Sequence, residues 1–342
     1  MSLPAPFRLA VKAVLLSFLP GLALAAAPAG LASLTEIQCT NFQAQLAGYE
    51  KQFAARMSDW SRKEMPDLQG RDVLYLFSGP DVVTALALFP EAAHVTLVAD
   101  QKPEYALLGR AEEAPADKVA RECSMIGFFS RLGYYRTNDL NGLGGAKPHF
   151  IKLLVYSIAF AGATVTDASL LAVAPGGELQ SFAPGDARRP QGLRFEARRR
   201  DGRPVTIDYL VVDLSNAGLK GDARATAWLR RVNSDVLFLK SASHLLQSPH
   251  FSTLADLLTT PASPFLVQDE TGFGVDRLHA NYGLTHYGRF TTPQTLWARN
   301  PSARAFAEEF AQHAARPLPF RIGYEKESGS ALLVGRRTVT TR

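Results

Sequence analysis

The sequence predicts an α/β protein with a Rossmann-like, doubly wound and mainly parallel sheet, an antiparallel section and a C-terminal hairpin. Three observations carry this expectation. The stretch LYLFSGPDVVTALALFP, Leu74 to Pro90, with HVTLVAD, His94 to Asp100, directly behind it, runs strand, tight turn, helix, strand. The run TIDYLVVDL is almost continuously apolar, as in a central strand covered on both faces. Beyond it, VLFLK, HFSTLADLL and PFLVQDE continue the alternation of strands and helices.

Taken in order, the chain opens on Arg8 and Lys12 ahead of the apolar run AVLLSFLPGLALA, and Ala23-Leu24-Ala25 and Ala25-Ala26-Ala27 suit cleavage after small residues. Residues 1–27 therefore read as a signal peptide, and its apolar core falls short of the about 20 residues a membrane span needs. No transmembrane anchor is expected once it is removed. Residues 28–70 form an N-terminal helical segment, because Ile37, Phe42, Leu46, Tyr49, Phe53 and Met57 recur at helical spacing until Pro66. Residues 71–342 then make a single α/β domain with a strand-rich middle at 178–214.

Within that domain, Glu104 to Leu132 reads as helical and contains Cys123, the segment NDLNGLGGAKPHF as a loop, and Ile151 to Val165 as a buried helix. Glu178 to Ala183 and Leu193 to Arg200 read as strands, and Asp201-Gly202 is a two-residue hairpin turn leading into Pro204 to Leu214. A helix over Asp222 to Arg231 follows. PFRIGYEK and ALLVGRR flank Glu327-Ser328-Gly329-Ser330 as the closing antiparallel pair.

With 46% apolar and 20% charged residues, the chain is an ordinary packed globule, which excludes disorder and collagen-like repeats. Cleavage removes Arg8 and Lys12, taking the formal charge from +5 to +3. So small an excess excludes the basic footprint of a nucleic-acid binder. The expected location is periplasmic or secreted, where Cys39 and Cys123 either pair across a long loop or remain two buried thiols.

The turn after the first strand is Phe77-Ser78-Gly79-Pro80-Asp81. Pro80 suits the first helical position, and Asp81 or Ser78 favours the positive end of the helix dipole. Pro80 also lacks a donor that a phosphate would use, and Asp81 would repel one, so the turn reads as a helix cap more than as a pyrophosphate cradle. Asp100 ends the second strand where ribose-binding acids sit. Over Val73 to Asp100 the layout resembles the start of class I S-adenosylmethionine-dependent methyltransferases, with their GxGxG turn reduced to SGPD. That resemblance implies Ser78, Gly79, Asp81 and Asp100 as cofactor contacts. Neither S-adenosylmethionine nor NAD is expected in quantity outside the cytoplasm, so no cofactor is expected. A broader resemblance, carried by FSGPD, LKSASHLL, FLVQDETG and PLPFRIGY, is to a set of exported bacterial proteins, and it implies an extracytoplasmic α/β protein without implying a mechanism.

The densest polar stretch is QDETGFGVDRLHANYGLTHYGRF, Gln268 to Phe290. It reads first as a structured loop after a strand, with Asp269, Glu270, His279 and His286 as the candidate catalytic residues, for acid–base work at a strand end. No HExxH is present and the spacing from His279 to His286 matches no common zinc pattern, so no metal is expected. Lys240-Ser241-Ala242-Ser243-His244 holds the ingredients of a serine nucleophile, but lacks GxSxG and SxxK; Ser241 or Ser243 as a helix cap is the simpler reading. Gly142 to Lys147 lacks the Walker pattern and reads as a loop. Arg188, Arg189, Arg194, Arg198, Arg199, Arg200 and Arg203 crowd the Asp201-Gly202 hairpin. Solvated strands are the simpler reading there, with contact to an anionic surface through Arg198, Arg199 and Arg200 as the alternative.

The functional expectation is a binding or interaction protein of the cell envelope on a Rossmann-like scaffold, its partner a polar ligand or an envelope component. The alternative is an enzyme, methyltransferase-like or a hydrolase using the cluster from Asp269 to His286.

Overall fold

The computed structural model describes residues 39–100, 116–135, 148–182, 190–232, 235–260, 263–291, 300–323 and 330–338. The expected signal peptide, the loop Gly142 to Lys147, Arg188 and Arg189 lie outside them. Among the described residues ten strands build one sheet: β1 (Val73–Leu76), β2 (His94–Asp100), β3 (Ala163–Val173), β4 (Leu179–Ser181), β5 (Gly192–Arg199), β6 (Pro204–Val212), β7 (Val236–Leu239), β8 (Phe265–Gln268), β9 (Tyr282–Gly288) and β10 (Ala331–Arg337). Their order is β4-β3-β5-β6-β2-β1-β7-β8-β10-β9.

The five central strands, β6, β2, β1, β7 and β8, are parallel. From β1 the chain winds outward to β2 and β6 on one side, then returns to continue through β7 and β8 on the other. The strand order reverses between β1 and β7, which opens a crevice at their carboxyl ends, the place where doubly wound sheets bind ligands. Antiparallel strands flank this core on both sides. The β5–β6 hairpin turns at Asp201-Gly202 as expected, Gly202 taking a left-handed φ of +82° that suits a residue without Cβ.

Two helical layers cover the sheet. On one face lie α1 (Phe42–Tyr49) and α2 (Ala55–Glu64), joined by a π-helical turn, Glu50–Ala54, with α3 (Val82–Leu88), α4 (Ala116–Leu132) and α5 (Pro148–Phe160). On the other lie α6 (Asn216–Gly221), α7 (Ala223–Arg231), α8 (Ser252–Thr259), α9 (Val275–His279) and α10 (Pro301–Gln312). Alternate strand residues serve the two layers: Val73 and Tyr75 join the first core, Leu74 and Leu76 the second. The N-terminal helices share that first core through Phe42, Tyr49 and Trp60. Cys39 is bonded to Cys123 of α4, with Cα atoms 5.4 Å apart, which decides between the pair and the two thiols. Among the described residues no helix is long and apolar enough to cross a membrane.

Three expectations need correction. The apolar run from Ile151 is helical only to Phe160; Gly162, at φ +79°, reverses the chain, and the β-branched Thr164, Val165 and Thr166 start β3. The closing antiparallel pair is β9 with β10, whereas 319–323, the described part of PFRIGYEK, carries no strand. The polar stretch after Gln268 accordingly contains α9 and β9 instead of one long loop. Its alternation was masked because Thr285 and His286 break the apolar pattern of a strand buried by pairing with β10.

A buried Asp-Lys-Asp crevice at the ends of the central strands

The crevice is framed by the turns that leave β1, β7 and β8. After β1, Phe77 takes φ +55° and Gly79 φ +51°, and Ser78 N–H donates to the Val98 carbonyl at 3.1 Å. After β7, His244 takes φ +52°. Phe77 and His244 are the two non-glycine residues in the left-handed region among the described residues, and both follow adjacent parallel strands at this one crevice. Left-handed backbone disfavours residues bearing a Cβ, and such strain is concentrated where side chains must be aimed.

Asp81 supplies the N-cap of α3, accepting from Thr84 N–H at 3.1 Å. The helix therefore begins at Val82, and Pro80 precedes the cap instead of occupying the first helical position. The second Asp81 oxygen accepts from Tyr75 Oη at 2.9 Å, Thr84 Oγ1 at 2.9 Å and Lys240 Nζ at 2.8 Å. Lys240 leaves the end of β7 and is 9% exposed; Asp81 is 3% exposed. From the end of β8 comes Asp269, fully buried, with one oxygen held by the N–H and hydroxyl of Thr271 and the other accepting no hydrogen bond. Burial pushes the Asp269 carboxyl up and so does the Asp81 charge, while Lys240 and the Thr271 donors hold it down. The cavity they line, with Ser78, Tyr134 and Tyr135 on its walls, measures about 60 Å³. Two carboxyl groups share the cavity with one ammonium.

Of the residues expected to contact a cofactor, Ser78, Gly79 and Asp81 line this cavity, and Asp269, expected to be catalytic, joins them. Asp100 does not line it: at the end of β2 its Oδ1 accepts from Leu214 N–H at 2.9 Å, and burial raises its carboxyl to about 6. Glu270 is buried beside Asp269, its carboxylate against Gly323. His279 and His286 belong elsewhere, hydrogen-bonded to Glu309 of α10 at 3.0 and 2.7 Å. The stretch from Asp269 to His286 is thus two sites, because β9 carries His286 two strands away from β8, across β10.

The serine cluster also resolves differently. Ser241 Oγ donates to the Thr271 carbonyl and makes no cap, and the His244 ring meets Gln247 Oε1 at 3.2 Å. At the hairpin, the described arginines meet protein partners. Arg194 forms a two-pronged bond to buried Asp208, at 2.7 Å on each prong; Arg200 pairs with Glu50, Arg203 with Asp201. Arg199 donates to the Ala92 carbonyl and burial lowers its guanidinium to about 10, while Arg198 donates to the Gly202 carbonyl. The residue that sequence reading undervalued is Lys240, noted only as part of a serine cluster; its place directly after VLFL, at a strand end, was the available signal.

No family model matches the chain, and no curated protein does. Among solved structures, the crystal structure of Thermoplasma acidophilum 1320 is similar over 87% of this chain and 98% of its own, at 8% identity and a TM-score of 0.34. Likeness at that level bears on no site in the protein.

Proposed function

We propose that the protein is an extracytoplasmic binding protein whose crevice at the ends of β1, β7 and β8 takes the head of a small ligand bearing an ammonium or another strong donor. One observation carries this reading: the wholly buried Asp269 lines the cavity with a carboxyl oxygen that accepts no hydrogen bond. Buried polar atoms are otherwise almost always satisfied, and pockets with a few convergent polar groups are the usual ligand sites. About 60 Å³ suits a head group of a few heavy atoms. The signal-peptide reading of residues 1–27 supports export, and the disulfide fits an oxidising compartment.

A nucleotide or S-adenosylmethionine is less well served. Asp81 already caps the helix end that an anionic group would approach, and one Asp100 oxygen already takes Leu214 N–H. The enzymatic alternative, methyltransferase-like or hydrolytic, loses support from the division of the 269–286 stretch between two sites. Thermal melting against a panel of small primary and quaternary amines, polyols, S-adenosylmethionine and NAD tests the proposal. An amine should raise the midpoint of the wild-type protein and not that of Asp269→Asn. No shift with any amine, or equal shifts in both proteins, refutes it.

A further inference from the structure

Three of the seven histidines in the chain converge on one carboxylate, far from the crevice in the strand order. Glu309 in α10 is 6% exposed at its side chain. Its Oε1 meets His286 Nε2 of β9 at 2.7 Å and His313 Nδ1, just beyond α10, at 3.3 Å; its Oε2 meets His279 Nε2, at the end of α9, at 3.0 Å. The His286 and His313 rings lie parallel, 7° apart in plane and 4.7 Å between centroids, so both present a nitrogen to the same oxygen. Glu309 lies in the last turn of α10 and His313 is the residue that follows the helix. His286 is buried, whereas His313 and His279 are 44% and 47% exposed, so the cluster is open to solvent on one side.

We propose that His286, Glu309 and His313 bind a divalent transition metal of the zinc class, with His279 holding the far carboxylate oxygen in place. One ligand atom from each of the three lies within 4.8 Å of the others. Ligands about 2.1 Å from a tetrahedral zinc stand about 3.4 Å from one another, so the 2.7 and 3.3 Å contacts need to open by less than an ångström. Imidazole with one carboxylate is the donor set zinc takes when three protein ligands leave a fourth position open. His313 Nδ1 also lies 2.9 Å from the Glu309 carbonyl, a hydrogen bond that metal ligation by this nitrogen replaces.

The test uses tag-free protein stripped with a chelator and dialysed, titrated with zinc chloride by calorimetry and with cobalt(II) by visible absorption. Wild type should bind one equivalent of zinc and give the absorption of tetrahedral cobalt. His313→Ala, at an exposed position that leaves the core intact, should weaken zinc by at least about 100-fold and abolish the cobalt bands; His279→Ala should weaken it about 10-fold, as loss of an outer-shell partner does. His250→Ala, at an exposed histidine outside the cluster, should bind zinc as wild type does. No stoichiometric binding by wild type, unchanged affinity in His313→Ala, or loss of binding in His250→Ala would each overturn the proposal.

Discussion

Replacing Lys240 with methionine keeps the bulk of the side chain and removes its charge from a cavity that holds Asp81 and Asp269. The pair is 2.8 Å apart, with side chains 9% and 4% exposed, so water replaces little of the lost partner. Removing one member of a buried ion pair costs about 3–5 kcal/mol, because the remaining charge stays desolvated. For about 300 residues, at about 2.1 cal/mol/K of unfolding entropy per residue, that is a fall in melting temperature of roughly 5–8 °C. The assay is denaturant unfolding at neutral pH of Lys240→Met, Asp81→Asn and the double variant. Neutralising Asp81 as well should recover at least about 2 kcal/mol of the summed single losses, with Asp269 accounting for what remains. If Lys240→Met costs under about 1 kcal/mol, or the double variant is additive within about 0.5 kcal/mol, the crevice is not the dry electrostatic site described above.

Three further outcomes are expected. Replacing both Cys39 and Cys123 with serine should lower stability by about 2–4 kcal/mol, through the 84-residue separation the disulfide spans; unfolding that is unchanged by reduction of the wild type would exclude the bond. Asp100 has a carboxyl raised to about 6 by burial, so its contribution is complete below the ordinary aspartate value and lost as pH rises through about 6. Asp100→Asn, which keeps an acceptor for Leu214 N–H, should therefore be about 1–2 kcal/mol more stable than wild type at pH 8 and equal to it near pH 4, and a gain of the same size at both values would contradict burial as the cause. His94 is raised by its hydrogen bond to Asp208 against the cost of burial, so its contribution is full below about pH 6.5 and disappears as pH climbs through the folded value. His94→Gln should accordingly cost about 1 kcal/mol at pH 6 and less at pH 9, the figure being discounted for partial exposure; a cost independent of pH would mean that the imidazole acts by packing alone.

Local signals in the chain were read correctly where the structure is local. The strand, turn and helix from Leu74 follow from an apolar run, a capping aspartate and a second apolar run, and Asp81 does cap α3. Asp201-Gly202 dictated the β5–β6 hairpin through the left-handed φ that glycine accepts. The misreadings fall where pairing partners are distant: β3 continues from a helical apolar run, and β9 is a strand because β10, more than forty positions later, pairs with it. A polar stretch such as 268–290 carries no period that distinguishes a loop from a strand whose burial comes from another segment.

The sequence by itself determined the fold class, the central apolar strands and the turn chemistry, because these depend on side-chain periodicity and on backbone preferences within a few residues. Tertiary structure alone decided the sites. Asp81 and Lys240 are 159 positions apart and meet because β1 and β7 are neighbours across the reversal in strand order. His286 and Glu309 meet because α10 packs over β9, and Cys39 reaches Cys123 because α4 lies beside the N-terminal helices. Such contacts arise from the global packing of two helical layers on one sheet, and no spacing along the chain encodes them.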